Sequence, residues 1–64
     1  MKRRDLVRHI REHGCIVDHE GGRHTVFAGP SNTTSSVPRH NEIKNDLVRK
    51  ICKDLDIPDP FRRN

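Results

Sequence analysis

The chain is 64 residues long and basic: 13 Lys and Arg side chains stand against nine Asp and Glu, which gives a formal net charge of +4. That length predicts a single domain, residues 1–64, and no apolar run approaches the roughly 20 residues needed to cross a bilayer. The basic start lacks the apolar stretch of a secretion signal, so we expect a cytoplasmic protein with no membrane partner. The charge favours an anionic partner, most commonly nucleic acid, and an aromatic content of 3% favours phosphate contact over base stacking.

The first predicted element is an amphipathic helix over Arg3–His13. Leu6 and Ile10 recur at helical spacing, and Gly14 can supply the left-handed residue that commonly ends a helix. The β-branched run that follows predicts a first strand over residues 15–19.

Two more strands are predicted after a turn. Glu20-Gly21-Gly22 is typical of a tight turn, because paired glycines accept a positive φ without steric cost. A second strand then covers residues 23–28 and a loop covers residues 29–33. A short third strand covers residues 34–37, and Pro38 ends it by removing a donor from the ladder.

The last predicted element is a helix in which apolar residues follow a 3.6-residue period from Ile43 to Leu55. Asn41 is its predicted N-cap, and Pro58 stops it, leaving residues 58–64 as a C-terminal tail. The element order α-β-β-β-α predicts an α+β fold. We expect a three-stranded antiparallel sheet with two helices on one face and an open opposite face.

The two cysteines are expected to be reduced core residues rather than a disulfide or a metal site. Both Cys15 and Cys52 have apolar neighbours, where a free thiol behaves as a small hydrophobic group. Cys15 and His19 would share one strand face but lie about 13 Å apart along it, too far for a common zinc ion. We therefore expect no metal and no other cofactor.

Three segments together resemble the HicA family of mRNA interferase toxins. They are Gly14-Cys15-Ile16-Val17, Gly21-Gly22-Arg23-His24 and Val37-Pro38-Arg39-His40, the last followed by Glu42-Ile43-Lys44 and the second helix. The resemblance covers nearly the whole chain, in the order and at the spacing of the family. It implies a fold like that of a double-stranded RNA-binding domain, cleavage of translated mRNA, and a HicB-type antitoxin that covers the active site. Catalysis in the family depends on the histidine of a Gly-x-His element, which corresponds to His24.

One histidine suits this chemistry because RNA carries its own nucleophile, the 2′-hydroxyl. A protein then has to move a proton and stabilise a five-coordinate phosphorus, and the unperturbed pKa of histidine, about 6.5, suits the proton step. If Phe27 packs under the helices, His24 lies on the open face of the sheet. Gly21 and Gly22 are expected to shape the turn beside His24, and the candidate substrate contacts are Arg23, Arg39, His40 and Lys44.

Other classes of protein remain alternatives at this point. A non-catalytic module that binds double-stranded RNA by shape would need phosphate contacts but no acid–base residue. Such contacts are also conceivable on the basic face of the first helix, formed by Arg4, Arg8 and Arg11. A helix-turn-helix DNA-binding protein fits poorly, because three extended segments separate the two helices. A structural subunit without activity is a third alternative, supported only by the small core and high charge.

Overall fold

The computed structural model describes residues 1–61; residues 62–64, which fall in the predicted tail, lie outside the described residues. The elements follow in the order α1 (Arg3–Glu12), β1 (Ile16–Glu20), β2 (His24–Ala28), β3 (Thr34–Pro38) and α2 (Asn45–Asp54). The three strands form one antiparallel sheet in the order β1-β2-β3. The predicted α+β fold is confirmed.

One hydrophobic core joins both helices to the same side of the sheet. Each helix buries the apolar residues that recur at its own period, and β2 and β3 contribute alternate residues. The fully buried side chains include Leu6 and Ile10 of α1, Phe27 of β2, Val37 of β3, and Val48 and Ile51 of α2. No helix in residues 1–61 is long and apolar enough to cross a membrane.

No helix or strand in residues 1–61 covers the opposite side of the sheet, and we call this side the open face. Strand alternation and register place on it Ile16, His19, His24, Val26, Ala28, Thr34 and Ser36. Ile16 is 66% exposed there, although it is a large apolar residue.

Both cysteines are free and buried in the core, as predicted. Burial is the main cause that raises the pKa of the Cys52 thiol to about 11 and also raises the pKa of Cys15. Both side chains therefore remain neutral thiols at physiological pH and serve as apolar packing.

The helix ends agree with prediction at α1 and differ at α2. Gly14 has a φ of +88°, and the N–H of Cys15 bonds the carbonyl of Ile10, so the left-handed glycine ends α1. Asn41 is not the N-cap of α2: the flanking residue is Lys44, without a side-chain cap. The backbone carbonyl of Asn41 instead accepts the N–H of Arg3 at 2.8 Å. The segment before α2 is extended because it pairs with the start of α1.

A β-bulge in β1 corrects another expectation. Val17 pairs with Phe27, but His19 pairs with Val26, so Asp18 is an extra residue between them. Cys15 is 2% exposed in the core, whereas His19 lies on the open face. The prediction that they share one face was wrong, because the bulge reverses the alternation after Val17.

The β1–β2 turn also forms differently from the prediction. It consists of residues 21–23, so Arg23 belongs to the turn and β2 begins at His24. The N–H of Gly21 bonds the carbonyl of His24 at 2.8 Å and closes the turn. Among the described glycines, only Gly14 has a positive φ in the left-handed region, so neither Gly21 nor Gly22 adopts the expected conformation.

Candidate active site

His24 is the first residue of β2, and its side chain is exposed on the open face. The next residues alternate as a regular strand: Thr25 and Phe27 are 3% and 1% exposed on the helix side, and Val26 returns to the open face. Across the sheet, His24 pairs with Pro38 at the end of β3. His24 therefore lies on the open face, as predicted. Its catalytic role stays a prediction.

On the helix side of the sheet, beneath His24, Arg3 of α1 contacts both β2 and β3. Its Nε donates a hydrogen bond to the Pro38 carbonyl at 2.9 Å, and its Nη2 donates to Thr25 Oγ1 at 3.0 Å. Pro38 is the cross-strand partner of His24, and Thr25 is its neighbour in sequence. One guanidinium group therefore bonds the residue that follows His24 and the residue that pairs with His24 across the sheet.

A second set of contacts fixes the turn. The Thr25 hydroxyl donates to Glu20 Oε1 at 2.7 Å, and Arg39 Nη2 donates to the same oxygen at 2.7 Å. Arg39 Nη2 also donates to the Gly21 carbonyl at 3.1 Å, and its backbone N–H bonds the Arg23 carbonyl at 3.3 Å. We call the connected side chains of Arg3, Thr25, Glu20 and Arg39 the support network.

The structure brings together most of the predicted site residues. Arg23 is exposed in the turn immediately before His24, and Arg39 crosses the end of the sheet to contact that turn. His40 follows Arg39 and is exposed in the loop after β3. Lys44 is exposed just before α2, and no hydrogen bond or ion pair in residues 1–61 joins its side chain to this group.

Three members of the support network were missed by sequence reasoning: Arg3, Glu20 and Thr25. One signal was present, because a threonine at an inward position of a strand needs a polar partner. The identity of that partner was not readable, since Arg3 and Glu20 lie 22 and five residues from Thr25 along the chain.

The surface around His24 is exposed at the end of the open face. Three grooves of about 330–430 Å³ lie in the described chain; one of them borders the open face at Val26, Thr34 and Ser36, and His24 lines none of the three. An imidazole on an open sheet face can be reached by an extended substrate from several directions. Among residues 1–61, no three His, Cys, Asp or Glu side chains are grouped so that they could hold a metal ion.

A family model described as the HicA toxin of bacterial toxin–antitoxin systems matches residues 3–57. The chain belongs to the HicA toxin family. The match begins with α1 and ends just after α2, so it includes His24 and every member of the support network. A HicA toxin acts within a toxin–antitoxin system, which implies an antitoxin as partner. No curated protein and no solved structure matches the chain.

Proposed function

We propose that this HicA-family toxin is a metal-independent endoribonuclease that cleaves mRNA in the cytoplasm and that a HicB-type antitoxin neutralises it. His24 is the proposed catalytic residue. The observation that supports this function best is the exposed imidazole beside a fixed turn, on a sheet face that no helix or strand of the described residues covers. An RNA-binding module without chemistry would not need an acid–base group at that position.

In the proposed reaction the 2′-oxygen of a ribose attacks the adjacent phosphorus. A P–O bond forms to the 2′-oxygen, and the bond from phosphorus to the 5′-oxygen of the next nucleotide breaks. The 2′-hydroxyl loses its proton to a base, and the departing 5′-oxygen gains a proton from an acid. His24 performs one of these transfers and water or His40 performs the other, which yields a 2′,3′-cyclic phosphate and a 5′-hydroxyl.

Cations at this end of the sheet supply the remaining chemistry. The exposed side chains of Arg23, His40 and Lys44 are proposed to bind phosphates of the substrate. In the described chain, only Nη2 of the Arg39 guanidinium makes side-chain hydrogen bonds, so its other nitrogens can also face a phosphate. Such groups stabilise the extra negative charge that develops as the phosphorus becomes five-coordinate.

The decisive test compares His24→Ala with His19→Ala. His19 is a matched control, because it is a second exposed histidine on the same open face. Purified wild-type protein and His19→Ala should cleave RNA in EDTA, whereas His24→Ala should lose about 10²- to 10⁴-fold in rate. Product ends can be identified by mass spectrometry.

Three results would contradict the nuclease proposal. They are equal rates for His24→Ala and the wild type, complete loss of cleavage in EDTA, and products with a 5′-phosphate. RNA binding by the wild type without any cleavage would favour the non-catalytic module instead. Co-expression with the HicB-type protein should restore growth of cells that the toxin arrests.

A further inference from the structure

We infer that Glu20 is a positioning residue for the nuclease site: it holds the turn that carries His24 through its contacts with Thr25 and Arg39. The inference rests on the proposed function and extends it to a residue that has no contact with the reacting atoms. Its basis is the geometry of a single oxygen, Oε1 of Glu20, which accepts two hydrogen bonds at 2.7 Å.

The location of Glu20 is itself a product of the β-bulge. In a regular strand that starts with Ile16 on the open face, Glu20 would also face outward. The extra residue Asp18 shifts the alternation, so Glu20 pairs with Thr25 on the helix side of the sheet. Bulges commonly redirect a side chain near functional sites, and here the redirected group is the carboxylate that binds the turn.

Each contact of Glu20 leads to the backbone around His24. Thr25 is the next residue along β2, and its hydroxyl is oriented by Glu20 on one side and by Arg3 on the other. Arg39 is held by the same carboxylate while it bonds the Gly21 carbonyl, and Gly21 N–H in turn bonds the His24 carbonyl. Without Glu20, the Thr25 hydroxyl keeps only its contact with Arg3, and the Arg39 guanidinium keeps only its contact with the Gly21 carbonyl.

The charge of Glu20 works against the proposed binding of RNA. A negative charge beside a site for an anionic polymer weakens substrate binding by repulsion. Arg39 neutralises that charge in an ion pair. A chain that lacked both Glu20 and Arg39 would nevertheless have the same net charge. The contacts of Glu20 with Thr25 and Arg39, which hold the turn, are the benefit that offsets its repulsion of RNA.

Repulsion and positioning predict opposite outcomes for substitutions of Glu20, so the experiment uses two of them. In Glu20→Gln the amide oxygen can accept both hydrogen bonds while the charge is lost, whereas Glu20→Ala loses charge and contacts together. We expect single-turnover cleavage at saturating RNA to fall about 10- to 100-fold in Glu20→Ala and to stay within about threefold of the wild type in Glu20→Gln.

RNA affinity provides the readout that separates binding from positioning. Measured in a His24→Ala background, both variants should bind RNA as tightly as the parent or more tightly. Asp18→Asn is the matched control, because Asp18 is an exposed acid of the same strand that pairs with His19 and not with the turn. It should cleave at the wild-type rate.

A second pair of variants tests the same contact in case Glu20→Ala does not fold. Thr25→Ser keeps the hydroxyl and should retain cleavage, while Thr25→Val keeps the shape and should lose it about tenfold or more, with folding monitored by thermal melting. If folded Glu20→Ala or folded Thr25→Val cleaves at the wild-type rate while His24→Ala is inactive, the inference about Glu20 is wrong and the nuclease proposal stands. If the wild type itself cuts no RNA, both are wrong.

Discussion

Gly29 marks the point where the β2–β3 loop meets the end of α2. A Cβ at this position would lie 2.5 Å from Thr33 Oγ1 and 2.6 Å from the Leu55 carbonyl oxygen, and the latter is backbone that cannot rotate away. The N–H of Gly29 also bonds the Thr33 carbonyl at 2.8 Å, which keeps the loop closed. The absence of a side chain here lets the loop approach the helix.

Gly29→Ala should therefore lower the free energy of unfolding by about 1–3 kcal/mol, because the loop or the helix end has to shift. Gly22→Ala is the control, since a Cβ at Gly22 meets nothing within 4 Å. Its effect should stay within about 0.5 kcal/mol. Urea unfolding of both variants measures the difference, and an equal stability for the two would show that the close approach is not needed.

The glycines differ in how well their conformation could be predicted from the neighbouring sequence. Gly14 was predicted correctly because a glycine after an amphipathic helix has a conformational role that the neighbouring sequence reveals. The pair Gly21 and Gly22 suggested a positive φ that neither adopts. The requirement at Gly29 is steric and involves Leu55, a residue 26 positions away, so no local pattern could indicate it.

At the scale of elements, α2 is joined to the sheet by a polar contact as well as by the core. Lys50 Nζ donates to Asp54 Oδ2 at 2.9 Å within the helix, and Ser35 Oγ of β3 donates to the same oxygen at 3.3 Å. The hydrogen bond from Lys50 is the largest cause that lowers the pKa of the Asp54 carboxyl below its usual value, and Ser35 adds to it. The ionised carboxylate therefore stabilises the folded state.

This lowered pKa predicts a pH-dependent contribution to stability. A group with a depressed folded-state pKa stabilises the protein above its ordinary pKa, and the contribution disappears as the pH falls through the folded value. Asp54→Asn should thus be less stable than the wild type at neutral pH, with a difference that narrows in acid. Asp46→Asn is the control, because Asp46 is 99% exposed and its contact with Arg49 is long, at 3.4 Å. Urea midpoints measured across the pH range test this, and a constant difference would contradict it.

The helices were predictable from their hydrophobic period, and the strands from β-branched runs and the turn residues that bound them. The bulge at Asp18 and the start of α2 were not, since both depend on pairing with distant segments. The residues of the candidate site also differ in whether the sequence could indicate them. His24 and its turn were indicated by a short motif, whereas Glu20 and Thr25 face each other only because the bulge reverses the strand alternation.

The whole molecule has two basic surfaces that are candidates for phosphate contacts, one at the turn before His24 and one on α1. Arg23 is exposed in the turn immediately before His24, and Arg8 lies on α1, on the helix side of the sheet, where it pairs with Asp5 at 3.1 Å. The net charge of +4 predicts RNA binding that weakens with salt whichever surface is used. The two surfaces can be distinguished by removing individual cations and measuring how the salt dependence of RNA binding changes.

RNA affinity of the His24→Ala protein should therefore be measured over a range of salt concentrations, together with Arg23→Gln and Arg8→Gln in the same background. Each substitution removes one positive charge. Loss of a phosphate contact lowers the slope of log K against log salt by about 0.7 for single strands. We expect that reduction for Arg23→Gln and a nearly unchanged slope for Arg8→Gln. The reverse pattern would place RNA on the helix side.

The contacts of Arg3 have a consequence for how the toxin is made. They join residues 35 and 22 positions apart, and the contact of Arg39 with Glu20 spans 19 positions. Contacts of such high sequence separation require the chain to close long loops, which costs conformational entropy. A growing polypeptide on the ribosome thus holds an incomplete site until Arg39 has emerged and α1 has docked. The proposed nuclease site is therefore a product of tertiary folding, because no short segment of the chain contains both His24 and the residues that hold its turn.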